Sequence, residues 1–292
     1  MRQIFLPDSL EALWNCLDSH PQARVYAGGT DLLVEVYKGT TYPEELICLE
    51  RIEELKGVVE CGVHIRIGAC TTHTELLEAE LLRRRLPILQ KAVKQLGSPP
   101  IRNMGTIGGN ICTASPAGDT LPPLYALNAE VELRSKRRVR RIELRKFIPG
   151  PGMTRLEPQE ILTAVWVKKP TEYNVHHFEK VGLRSALACS ITSLAALLRV
   201  ATDGTVEKVA FAWGSVGPTI VGCREAEEAV IGRTLTPARL REAAALVQKV
   251  VIPISDVRAG AEYRRVLAGN LLLRLTEKVD SQVAGLRANE GG

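Results

Sequence analysis

IRNMGTIGGNICTASPAGDTLPP, residues 101–123, decides how this chain is read. Its core, Arg102-Asn103-Met104-Gly105-Thr106-Ile107-Gly108-Gly109-Asn110-Ile111, sets three glycines among hydroxyl and amide side chains. Such a stretch is normally surface or disordered. Apolar residues recur through it, and periodic segments flank it, so it is predicted to be an ordered binding loop. Dense glycine costs backbone entropy on folding, and a ligand lying against the backbone offsets that cost. Asp119 is a single carboxylate in an uncharged loop and can accept hydrogen bonds from a ribose.

A second glycine turn lies upstream at Ala27-Gly28-Gly29-Thr30-Asp31-Leu32-Leu33. RVYA before it reads as a short strand, and DLLVEVYK after it as a helix begun by Thr30 or Asp31. Paired glycines allow positive φ and leave backbone N–H groups uncovered. With the Thr30 hydroxyl and a helix N-terminus, they can hold a pyrophosphate. The motif is neither GxGxxG nor an ATP loop ending in GK[ST], and a plain strand–helix turn would read the same way. Two separated turns suit a long cofactor with a diphosphate in its middle, and FAD fits that shape better than a mononucleotide.

Working outward, residues 8–18 read as a helix capped by Asp8 or Ser9, with Leu10, Leu13, Trp14 and Leu17 as its apolar stripe. Residues 46–49 and 65–69 are compact strands. Residues 72–96 form one or two helices broken near Pro87. The stretch 125–135 passes from a helix end into a strand, and 159–168 is a further strand. A domain boundary is placed near Pro170. Beyond it come strands over VHHFEKVGL, ACSITSLAALLRV and EKVAFAWGSV, the last two joined by a turn at 203–205. Helices follow over 223–232, 236–250 and 261–275, the second capped by Thr236 with Pro237 in its first turn. The tail, 281–292, is expected to fray.

Composition narrows the function classes. The chain has 292 residues, and 38 Lys plus Arg against 33 Asp plus Glu give a formal charge of +5, too small to argue a polyanion partner. Aromatics at 4% weaken a base-stacking reading further. No apolar stretch is long enough for a membrane span. Arg2 is followed by Pro7 and Asp8 before any apolar core forms, so no signal peptide is expected. The seven cysteines, 16, 48, 61, 70, 112, 189 and 223, are too scattered for a zinc or iron–sulfur site. They fit buried thiols in a reducing cytoplasm, with Cys61 and Cys70 as the one pair that flanks a strand. The five histidines show no ligand spacing. His176 and His177 should face opposite sides of a strand, and His73 is the one placed to approach a cofactor. The basic run 136–146 reads as a solvent-exposed hairpin.

Three stretches carry a family resemblance: AGGTDLL at 27–33, IRNMGTIGGNICTASPAGDTLPPLYALNAEVEL at 101–133 and FEKVGLRSALACSIT at 178–192. Through them the chain closely resembles the FAD-binding medium subunit of the molybdenum hydroxylases. That group contains xanthine dehydrogenase, aldehyde oxidoreductases and aerobic carbon monoxide dehydrogenase. The resemblance implies an α+β architecture. Residues 1–170 would form a two-subdomain FAD-binding fold of the vanillyl-alcohol oxidase and p-cresol methylhydroxylase type. Residues 171–280 would form a small α+β domain of the carbon monoxide dehydrogenase flavoprotein type.

The same resemblance implies the site. The backbone from Ala27 through Leu33 would wrap the pyrophosphate. Asn103, Thr106, Gly108, Gly109 and Asn110 would line its other side and the flavin. Ser115 and Asp119 would lie near the ribityl and ribose hydroxyls. Lys180, in the family's Phe-x-Lys-x-x-x-Arg pattern, would approach the flavin pyrimidine oxygen, with Arg184 ordering that strand. No catalytic acid or base and no metal ligand is expected on this chain. The implied partners are a small [2Fe–2S] subunit and a large molybdopterin subunit, as a heterotrimer or a dimer of heterotrimers. The expected assembly is xanthine dehydrogenase-like, cytoplasmic, with NAD⁺ or another molecule accepting the electrons. A relative with four clustered cysteines and a [4Fe–4S] centre on this subunit is disfavoured, since neither the insertion nor close cysteines are present. The competing readings are a free-standing FAD oxidoreductase with its own substrate cavity, and a scaffold whose flavin site has decayed.

Overall fold

The computed structural model describes residues 3–290. Its first half runs β1 (Gln3–Phe5), α1 (Leu10–Ser19), β2 (Arg24–Tyr26), α2 (Leu32–Tyr37), β3 (Glu45–Cys48), β4 (Val58–Cys61), β5 (His64–Gly68) and α3 (His73–Glu78). Four short helices follow: α4 (Glu80–Arg85), α5 (Pro87–Lys94), α6 (Pro99–Met104) and α7 (Ile107–Thr113). Then come α8 (Leu121–Ala126), β6 (Glu130–Arg134), β7 (Val139–Glu143), α9 (Leu144–Phe147) and β8 (Ile161–Lys168). The remainder is β9 (Val175–Val181), β10 (Thr192–Val200), β11 (Val206–Gly214), α10 (Arg224–Val230), α11 (Pro237–Val250), α12 (Ala261–Leu273) and α13 (Leu275–Glu290).

These elements group into two compact units that interleave along the chain. Unit 1 comprises residues 1–83, 97–115 and 128–168; unit 2 comprises 84–96, 116–127 and 169–292. Unit 1 holds two sheets. The first is parallel, in the order β1-β3-β2, and α1 packs on it through Leu10, Leu13, Trp14 and Leu17. Ser9 caps α1 by accepting from the Ala12 N–H, which satisfies one otherwise unpaired donor. The second sheet is antiparallel, in the order β4-β5-β8-β6-β7. The basic run 136–146 is the turn and return strand of the β6–β7 hairpin at the edge of that sheet. Its charges are largely matched: Lys136 meets Asp18, Arg140 forks onto buried Glu160, and Arg141 lies over the Trp166 ring. Charged edge strands resist unwanted pairing.

Unit 2 is built on the antiparallel sheet β11-β10-β9. One face presents Leu194, Leu198, Val209, Phe211 and Trp213 to a core completed by α10–α13. The other face is covered by α5 and α8, both drawn from the first half of the chain. His176 and His177 are consecutive in β9 and so alternate across the sheet; the His177 ring lies 3.2 Å from Glu179, two residues on.

The α+β class expected from the sequence holds, and two local expectations are corrected. Residues 97–123 are not a loop but carry α6, α7 and α8, separated by short turns. Pro99 starts α6 and Thr106 caps α7, so the turn-forming residues act as helix starts. The tail does not fray over 281–290, which continue α13; Gly291 and Gly292 lie outside the described residues. The break expected near Pro87 is present: α4 ends at Arg85 and Pro87 begins α5.

Candidate cofactor site

Unit 1 brings both glycine turns together. Gly28 follows β2 at the point where the end of α6 presses closest. A Cβ on Gly28 would lie 1.6 Å from the Met104 carbonyl oxygen, so no other residue fits without moving α6. Gly29 takes φ +69°, the left-handed region that favours glycine. Gly105, next to Met104, has His73 and the Thr30 hydroxyl as near neighbours. The His73 N–H donates to the Gly105 carbonyl at 2.9 Å. Residues 27–33, 71–73 and 101–110 thus form one cluster.

The turn at 28–32 is open to a ligand. Among the described residues, none of the N–H groups of Gly28, Gly29, Thr30, Asp31 and Leu32 has a hydrogen-bond acceptor. Unpaired buried or half-buried N–H groups are uncommon in folded chains, and five in sequence make a donor array suited to phosphate oxygens. Beside it lies a cavity of about 150 Å³ walled by Tyr26, Ala27, Cys70, Gly109, Cys112 and Leu162 among others. Burial pushes the Cys70 and Cys112 thiols up to about 12, so both stay protonated and act as apolar wall. His73 is 2% exposed, and burial, with Arg102 nearby, lowers its pKa to about 4, leaving a neutral ring against the cluster.

The second glycine motif has a different local task. The Gly108 N–H donates to the Ala69 carbonyl at 2.8 Å, and a Cβ there would meet Ala69 at 2.7 Å. Thr106 caps α7 by accepting from the Gly109 N–H. The Asp31 carboxylate accepts from Thr113 and Asn103 from Thr74, both at the surface. Leu32 is buried, Leu33 is exposed, and Asn110 and Ser115 are half-buried. Tyr26, Cys70, Cys112 and Leu162 escape sequence reasoning, because nothing marks them as more than core. Cys112 stands four residues after Gly108, one helical turn on, which is the only signal available.

Unit 2 carries the remaining candidates. Asp119, just before α8, and Lys180, near the end of β9, form a buried ion pair at 2.5 Å, and the Lys180 ammonium also donates to the Gln95 carbonyl. Lys180 is therefore not a solvated surface lysine. The second Asp119 oxygen, Oδ1, is buried without a partner. Burial raises the Asp119 carboxyl to about 6 even though Lys180 pulls it down. Arg184 donates to the carbonyls of Ala186 and Leu187, so it orders the loop after β9 and not the strand. Cys61, at the β4–β5 turn, and Cys70, past the other end of β5, do not form the pair their spacing allows.

Residues 1–170 match the model for the FAD-binding domain in molybdopterin dehydrogenase, and residues 177–279 match the carbon monoxide dehydrogenase flavoprotein C-terminal domain. The chain belongs to the FAD-binding medium subunits of the molybdenum hydroxylase family. It is an oxidoreductase subunit of that type. The xanthine dehydrogenase FAD-binding subunit of Escherichia coli O157:H7 is 33% identical over 92% of this chain and 91% of the relative. The nicotinate dehydrogenase FAD-subunit of Eubacterium barkeri is 30% identical over 97% of each. A solved Cu,Mo-CO dehydrogenase chain superposes with a TM-score of 0.90 at 30% identity, covering 96% of this chain and 98% of that one. Two features of unit 1 fit the flavin cofactor this family implies: a run of free amides and an apolar cavity beside it.

Proposed function

We propose that this chain is the electron outlet of a xanthine dehydrogenase-like molybdenum hydroxylase. The observation that carries the proposal is the unsatisfied amide run at 28–32 beside the apolar cavity. The amides would hold the diphosphate of FAD, with the cavity taking its adenine between Tyr26, Cys112 and Leu162. Asp119 would accept from the ribityl or ribose hydroxyls through Oδ1, and Lys180 would set its ammonium at the flavin pyrimidine oxygen. Bound FAD would supply a centre that accepts electrons singly and delivers them in pairs. This chain's own work is binding and tuning: a cation at the pyrimidine edge favours the more negative reduced state.

Electrons would arrive from [2Fe–2S] clusters on a small partner subunit and leave to NAD⁺ or another acceptor. A large molybdopterin partner would oxidise the organic substrate, and three such chains, doubled or single, would form the assembly in the cytoplasm. The names of the relatives, and the near-complete coverage of each, support this. So do seven unpaired cysteines, and the absence among the described residues of any helix able to cross a membrane.

FAD titration of the apoprotein tests the reading. The chain should take up FAD stoichiometrically and discriminate against FMN, which lacks the adenine and one phosphate. Cys112→Phe, which fills the cavity, should weaken FAD at least tenfold with little change in melting temperature, while Cys112→Ala should keep it. Protein that stays colourless after reconstitution would refute the proposal.

A further inference from the structure

The ends of the unit 2 strands are tied by one buried guanidinium. Lys180, Ser193 and Gly214 stand in register across β9, β10 and β11. Directly paired residues share a face, so these three form one row, and Lys180 reaches Asp119 from it. Immediately beyond the row, Ser215 holds φ +64°, a left-handed conformation that is strained for a non-glycine residue. Its N–H donates to the Pro116 carbonyl at 2.8 Å. Its carbonyl accepts from Arg264 Nη1 at 3.3 Å. The same Nη1 donates to the Ile191 carbonyl at 2.7 Å, and the Ile191 N–H in turn donates to the Val181 carbonyl at 2.8 Å. Arg264 Nη2 meets the Asp256 carboxylate at 2.7 Å.

Arg264 is 1% exposed. Burying a guanidinium is costly, and a well-packed apolar side chain of similar volume is often as stabilising. Stability alone is therefore a weak reason for this residue. What it does specifically is hold the carbonyl that precedes β10 and the carbonyl that follows β11. Those two points fix the ends of the strands that carry Ser193 and Gly214, and through the Ile191–Val181 bond the end of β9 that carries Lys180. A strained Ser215 persists only where its surroundings over-determine it, and the Pro116 and Arg264 bonds do so from both sides.

We propose that Arg264 is a positioning residue for Lys180: it latches the open ends of β9, β10 and β11 and so sets where the Lys180 ammonium is presented to the flavin. This rests on the reading of Lys180 given under Proposed function. The experiment measures the flavin reduction potential of the FAD-loaded full chain, together with FAD content and melting temperature. Lys180→Met should lower the potential, by a tenfold change in the two-electron equilibrium or more, ~30 mV. Arg264→Met should lower it in the same direction, and the double variant should fall no further than Lys180→Met alone. Arg264→Lys, which restores a donor, should recover part of the shift. Where Arg264→Met does not fold, Asp256→Asn loosens the same latch from its half-exposed end and should move the potential likewise. A latch variant that loses thermal stability but keeps the wild-type potential would overturn the proposal, as would a shift that adds fully to that of Lys180→Met. If Lys180→Met itself leaves the potential unchanged, the assignment of Lys180 to the flavin fails first and the latch falls with it.

Discussion

At the residue scale, burial and charge act on two groups in opposite directions. His73 is neutral in the folded chain, with a pKa of about 4 against an ordinary 6.5. The unfolded chain therefore binds the extra proton first, and folding stability from this residue falls as pH drops from about 6.5 to 4, by up to ~3 kcal/mol. Asp119 is raised to about 6, so its term runs the other way: stability is present at low pH and lost as pH rises through 6. The two terms partly cancel in the wild type, and only a difference between variants separates them. Urea midpoints of His73→Gln and wild type should therefore converge at acid pH from a gap at pH 7, the wild type losing ground below 6.5. A constant gap between pH 7 and 4 would show that His73 is not held neutral. Sequence reasoning reached His73 because it follows a strand, but the contact that helps to bury it comes from Gly105, which is distant in sequence.

At the level of elements, the junction of the β2–α2 turn with the end of α6 is the least forgiving contact in unit 1. Gly28→Ala places a methyl group 1.6 Å from a backbone carbonyl that cannot rotate away. It should cost more than ~3 kcal/mol, seen as a melting temperature drop in apoprotein with no flavin present. Equal stability would mean that α6 is free to shift. Loss of FAD in that variant would then reflect a displaced helix as much as a blocked phosphate. Gly28 is thus a poorer probe of the site than Cys112. Elements with strong periodicity or strong caps were legible from sequence. The stripe of α1, the Thr236–Pro237 start of α11 and the β-branched run of β8 each carry their own signal. Residues 97–123 were not legible as helices, since helices of six or seven residues rich in Gly and Pro show no apolar period and stand by packing. Both glycine turns were legible as places of close backbone approach, yet which of them keeps its amides free was not. Glycine marks close approach to ligand and to protein alike, and Gly108 spends its freedom on Ala69.

At the scale of the whole molecule, the interleaving of the two units has a direct consequence. The family matches abut between residues 170 and 177, and a cut there looks natural on the sequence. It would nevertheless strip unit 2 of α5 and α8. Ile88, Leu89, Ala92 and Val93 of α5, and all six residues of α8, are buried. Residues 171–292 expressed alone should therefore be insoluble or molten, with a broad rather than cooperative urea transition. A soluble fragment with a sharp transition would mean that α5 and α8 are dispensable to the sheet. During synthesis the order is fixed by translation. Both helices leave the ribosome before β9–β11 exist, and their apolar sides have no seat until residues 175–214 have emerged. A growing polypeptide of this kind must keep two greasy segments in waiting, so its yield in a cell should depend on chaperone supply more than its final stability would suggest.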